Sequence, residues 1–150
     1  MRAILWATLV AGALDISAAI ILRGTLNGMA ASRVLQSVAS GVLGRDAFSG
    51  GPPIAALGLL AHFLIMAGIA TVFYLASRKL PLLTNHWVGF GLVYGAIVYL
   101  MMSFVIVPLS AFPGKLVPSV AAFVEGIVVH MICVGLPIAY FTSRYSQPAN

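Results

Sequence analysis

Four long stretches of the chain carry almost no charged side chains. They run from Ala3 to Leu22, Ile54 to Ser77, Trp87 to Val107 and Ser119 to Thr142. A helix that crosses the hydrocarbon core of a bilayer needs about 20 mostly apolar residues, and each stretch meets that length. Charge or proline marks their ends, as it marks helix ends generally. Arg23 follows the first. Pro52-Pro53 precedes the second and Arg78-Lys79 follows it. Pro108 follows the third, and Pro118 and Arg144 bracket the fourth. Tyr74, Trp87, Tyr140 and Tyr145 stand near these ends, where amphipathic rings favour the headgroup layer. The pattern predicts an all-α membrane protein: a four-helix transmembrane bundle, one integral domain over residues 1–150, with the lipid bilayer as its first partner.

The segment from Gly24 to Pro53 is long for a connection in so small a chain. Within it Val34, Leu35, Val38 and Val42 share one helical face, and Arg33, Gln36, Ser37 and Ser40 share the other. That amphipathic division predicts a short interfacial helix over about residues 30–43. Gly50-Gly51-Pro52-Pro53 ends it and starts the second span. The connection from Pro108 to Pro118, rich in proline and glycine, reads as a tight irregular turn.

Composition agrees with the pattern. Of 150 residues, 61% are hydrophobic and 7% charged, against about a quarter charged in a soluble domain. The net charge is +5, but the basic residues cluster at span ends rather than on one face, which argues against nucleic acid. The lone Cys133 lies inside an apolar run and excludes an intramolecular disulfide; it reads as a small core residue. Arg2, the first apolar run and Ser17-Ala18-Ala19 loosely fit a cleaved signal, but Asp15 and the continuation to Leu22 favour a retained span. With the N-terminus inside, Arg2, Arg78, Lys79 and Arg144 face inward and Arg23, Arg33, Arg45 and Lys115 outward. The free amine tips that balance toward N-inside.

The two halves share features. His62 opens HFLIMAGIATVFYLASR and His130 opens HMICVGLPIAYFTSR; each passes a glycine and an aromatic pair and ends in Ser-Arg. Spans one and three share Trp followed by Gly-Ala-Leu or Gly-Ala-Ile. A duplicated helical hairpin, related by an axis along the membrane normal, would explain this. Gly91 and Gly95 form a GxxxG contact, either inside the bundle or between the protomers of a homodimer. Pro137 cannot donate to the Cys133 carbonyl, so span four is expected to kink there.

Ionisable groups inside spans are costly, by about 2.5–3.5 kcal/mol at the bilayer centre on insertion scales, and mark candidate sites. This chain has Asp15, His62, Glu125 and His130. Each has small residues beside it, such as Ala11, Gly12, Ala18 and Ala19 around Asp15, so each is placed on a packing face. At about 1.5 Å per residue, Asp15 and His62 lie roughly 10–12 Å from the first-loop side. Glu125 and His130 lie roughly 9 and 16 Å from the third-loop side. In a pair of hairpins these two loops are on the same side. All four groups then fall in one leaflet or at the midplane, lining a one-sided polar pocket, with Ser103 and Tyr99 as secondary members.

Three uses compete for such a pocket: handling protons or a small cation, holding a haem or transition metal through His62 and His130, and ordering a non-catalytic accessory subunit of a larger membrane complex. Glu125 and His130 are five residues apart, about 140° around a helix, which is poor geometry for one metal. No catalytic residues are assigned, and no cofactor is the simplest expectation. Ser40-Gly41 lacks the flanking pattern of an intramembrane serine protease, Gly44-Arg45-Asp46 reads as a turn, and no phosphate-binding loop or dinucleotide fingerprint is present.

The combination of GALDIS from Gly12, VLQSVASGVLGRDAFSGG from Val34 and VPLSAFP from Val107 resembles a family of uncharacterised small bacterial inner-membrane proteins with four predicted transmembrane helices. The resemblance covers nearly the whole chain and rests most on the middle motif. It implies a bacterial origin and a place in the cytoplasmic membrane, and brings no activity or catalytic residue with it. It also implies Asn in relatives at the position of Ser103, which counts against a role for that hydroxyl.

Overall fold

The computed structural model of the protein describes residues 1–114 and 119–146. The expected cation Lys115 and the expected boundary Pro118 lie outside the described residues, as does the chain from residue 147 onward. The described residues are mostly helical, and none of them forms a strand. Four helices are long and apolar enough to cross a membrane: α1 (Arg2–Asn27), α3 (Gly51–Lys79), α5 (Trp87–Leu109) and α6 (Val120–Tyr145). Between them lie α2 (Ala31–Leu43), a 3-10 turn over Gly44–Phe48, and the single-turn α4 (Leu82–Asn85).

Each span outruns its expected boundary, for local reasons. α1 continues a turn past Arg23 and stops at Gly28, whose φ of 62° is left-handed. The Gly28 and Met29 amides close back on the Gly24 and Arg23 carbonyls, a glycine-capped helix end. Pro52 and Pro53 sit inside the first turn of α3 rather than before it, where a missing N–H costs nothing. Ser119 caps α6, its hydroxyl accepting from the Ala122 amide at 3.2 Å.

The bundle is packed inside out relative to a soluble protein. On α1 the buried residues include Ala3, Ala7, Ala11 and Gly12, while Leu5, Leu9, Leu14 and Ile21 are exposed. Apolar side chains gain nothing by leaving lipid for protein, so close helix packing decides what goes inside, and small residues permit it. The core is Ala7, Ala11, Met66, Ala70, Phe73, Val98, Val134, Ile138 and Ala139.

The same inversion corrects the reading of α2. This helix packs along α3 through Val34, Gln36, Ala39 and Ser40, so Gln36 and Ser40 of the expected polar face are buried and Val42 of the expected apolar face is 73% exposed. The buried polar groups are satisfied. Gln36 Nε2 donates to the Gly51 carbonyl at 3.2 Å, and Ser40 Oγ to the Ser37 carbonyl at 2.7 Å. At the crossing the Leu35 carbonyl occupies the place a Cβ on Gly58 would take. Arg33 donates to the Phe48 carbonyl at 2.8 Å and lies over the Phe48 ring. The Ala111 amide donates to the Gly41 carbonyl at 2.9 Å. The first loop and the start of the third are therefore joined at one end of the bundle.

Proline acts twice in the same way. A π-helical stretch over Met102–Ile106 precedes Pro108, and another over His130–Gly135 precedes Pro137. Widening the turn before the proline reorganises the hydrogen bonds around its missing N–H: the Val107 amide bonds to the Met102 carbonyl and the Leu136 amide to the Met131 carbonyl. The expected distortion near Pro137 thus takes the form of a π turn, and α5 does not stop at Pro108 but runs through it to Leu109.

Gly91 and Gly95 are spent inside the bundle, against Gly135 and the His130–Met131 backbone of α6. α1 packs on both α3 and α6, and α5 reaches α3 through Tyr94, whose hydroxyl donates to the Ile69 carbonyl at 2.7 Å. Tyr94→Phe is expected to lower stability by about 1 kcal/mol, a typical net hydrogen bond, measured by unfolding of the detergent-solubilised protein.

Candidate functional site

Asp15 stands one helical turn beyond Gly12 on α1. Its Oδ1 lies 4.0 Å from Nδ1 of His130, and the two side chains are 15% and 22% exposed. The pair is thus enclosed without being sealed. The same Nδ1 lies 3.0 Å from the Gly126 carbonyl one turn back on α6. A carbonyl only accepts, so Nδ1 carries the proton and donates it there, with the Asp15 carboxylate as a second, more distant acceptor. The Tyr99 ring meets the imidazole edge-on at a centroid distance of 5.2 Å and fills the space beside Gly126. His130 is also the first residue of the π turn. Such turns are frequent at functional sites.

His62 is used differently. Its ring is 8% exposed and its Nε2 donates to the Gly12 carbonyl at 3.0 Å. The adjacent Phe63 ring fills the notch of Gly12, 2.6 Å from where a Cβ would stand. His62 therefore clasps α3 to α1 at a level about 4.5 Å, or three residues of helix rise, from Asp15. The His130 carbonyl, for its part, stands where a Cβ on Gly95 would be.

Glu125 is half-buried, and among the described residues it makes no ion pair. It sits on the α-helical first part of α6, whose contacts are mainly with α5 and with the π turn that follows. Ser103 is half-buried within the π turn of α5, about one helical turn from Tyr99. The structure thus brings Asp15, His130 and Tyr99 together and ties His62 to their margin through Gly12.

Cys133, read from the sequence as a small core residue, is partly exposed in the π turn, three residues after His130. Thr8, two turns before Asp15 on the same face, is buried with a hydroxyl that has no partner among the described residues.

The donors do not assemble a metal centre. Among the described residues no group of three or more His, Cys, Asp and Glu side chains is placed to hold a metal ion. A haem clamped between His62 and His130 would need the two rings to face each other across the macrocycle, whereas His62 is committed to Gly12 and packed beside Phe63. A groove of about 410 Å³ does exist, but at the opposite end of the bundle, lined by Leu82, His86, Gly89, Phe90 and Val93.

Compared with protein-family models, curated proteins and solved structures, the chain matches none.

Proposed function

We propose that this is a small multi-pass membrane protein that handles protons or a small cation at Asp15 and His130. The observation that carries the reading is the 4.0 Å approach of a carboxylate and an imidazole from two apolar spanning helices. Both groups change charge readily, and keeping both inside spans is costly enough to call for a use. Tyr99 shapes the site, and Glu125 lies on its path toward the third loop. On this reading access is from the end where Gly41 and Ala111 join the first and third loops. On the same reading α2 lies at the membrane interface there, with Val34 packed on α3 and Val42 toward lipid. The meeting of Gly12 with His62, and of Gly95 with the His130 backbone, supports two duplicated hairpins. The resemblance of the three motifs supports a bacterial cytoplasmic membrane, and a homodimer or larger complex would supply the further helices a carrier needs.

The test is flux. Purified protein in liposomes enclosing a pH-sensitive dye is expected to dissipate an imposed proton or sodium gradient at least ten times faster than empty liposomes. Asp15→Asn is expected to return the rate to background. Wild-type liposomes that stay tight to both ions would overturn the reading. They would favour instead an accessory subunit, for which the His62–Gly12 clasp already serves as bundle architecture.

A further inference from the structure

The groove at the other end of the bundle belongs to no part of that site. Its lining residues are Leu82 of the single-turn α4, His86 at the break between the two helices, and Gly89, Phe90 and Val93 at the start of α5. Gly89 leaves its floor open, since a Cβ there would meet no atom within 4 Å. The groove is shallow and the surface it presents is apolar, which suits a hydrocarbon chain.

Charge says what kind of molecule that chain belongs to. The mouth of the groove lies at the end of the bundle that carries Arg2, Arg78, Lys79 and Arg144, all exposed. Lys79 is three residues from Leu82, so its Cα is at most about 11 Å from the groove's edge, and the ammonium can reach over it. The three carboxylate side chains of the chain are Asp15, Asp46 and Glu125. Asp15 and Glu125 lie in the half toward the first and third loops, and Asp46 lies in the first loop itself. Among the described residues the groove end thus has cations and no carboxylate side chain to offset them. Juxtamembrane cations attract anionic headgroups.

We propose that this groove binds one anionic phospholipid, an acyl chain lying along Leu82–Val93 over Gly89 and the headgroup phosphate held by Lys79, Arg78 and His86. A zwitterionic lipid fits the apolar groove equally well but gains no net attraction at the mouth. The chemistry therefore selects headgroup charge rather than chain.

The experiment titrates the detergent-purified protein with phosphatidylglycerol or phosphatidylcholine and counts bound lipid by native mass spectrometry. Wild type is expected to retain one phosphatidylglycerol at concentrations at least fivefold below those needed for phosphatidylcholine. Gly89→Leu fills the groove without touching the bundle and is expected to weaken phosphatidylglycerol retention at least fivefold. Gly68→Leu, on α3, also enters open space but away from the groove, and is expected to change nothing. Lys79→Gln with Arg78→Gln is expected to erase the preference between the two lipids. Equal retention of both lipids by wild type would overturn the proposal, as would unchanged phosphatidylglycerol retention in a folded Gly89→Leu protein.

Discussion

Gly135→Ala is expected to destabilise the protein by roughly 3 kcal/mol, the upper part of the usual range for overpacking. The added Cβ would collide with the Gly91 carbonyl and stand 2.7 Å from the Gly95 amide nitrogen. Both are backbone atoms of α5, so no rotamer change can relieve the contact and the helices must move apart. The same seam is closed from the other side, since a Cβ on Gly95 would meet the His130 carbonyl and stand 2.6 Å from the Met131 Cα. Gly89→Ala is the matched control on the same helix. Its Cβ enters open space, and replacing glycine by alanine favours a helix by about 1 kcal/mol. Unfolding of both variants in mixed detergent, followed by far-ultraviolet circular dichroism, reads the difference. If Gly135→Ala proves as stable as Gly89→Ala, the backbone contact between α5 and α6 is not formed. The effect should reach the site as well, because His130 begins the π turn that ends at Gly135.

The four spans were legible because lipid demands length and apolarity, and both are written plainly between Ala3 and Thr142. Their ends were less so. Arg23 looks like a stop signal, but an arginine can lie along the helix surface and reach water while the helix continues to a residue that can cap it, here Gly28. Pro108 looks like a stop as well, but a π turn re-routes the hydrogen bonds around it. That rearrangement depends on how neighbouring helices hold the turn, which local spacing does not encode. The orientation of α2 was misread because amphipathic reasoning assumes that polar means outward. Once α2 packs on α3, Gln36 and Ser40 find carbonyls inside beside the buried Val34, and Val42 is left to the surroundings.

The site shows the same division. Small neighbours correctly put Asp15 on a packing face. The apparent repeat made His62 and His130 look interchangeable, yet one ring bonds across helices to Gly12 and the other bonds to its own helix at Gly126. A side-chain torsion separates these outcomes, and periodicity carries no information about it. Glu125 was grouped with the others by depth and by its small neighbours, and neither says which group the carboxylate would meet.

Whether Asp15 and His130 hold the bundle together or do chemistry is decided by measuring stability and flux on the same four proteins. Removing one member of an enclosed polar pair leaves the other unsatisfied and typically costs about 1–3 kcal/mol, whereas replacing both can be nearly neutral. His130→Gln alone is therefore expected to destabilise by roughly 2 kcal/mol, and Asp15→Asn with His130→Gln to recover to within about 1 kcal/mol of wild type. A clasp predicts that flux follows stability and returns in the double variant. A working site predicts that flux is lost in both single variants and stays lost in the double, however stable it becomes, because neither amide can take up or release a proton near neutral pH. The stable but inactive double variant is the expected result. Recovery of flux along with stability would assign the pair to architecture alone.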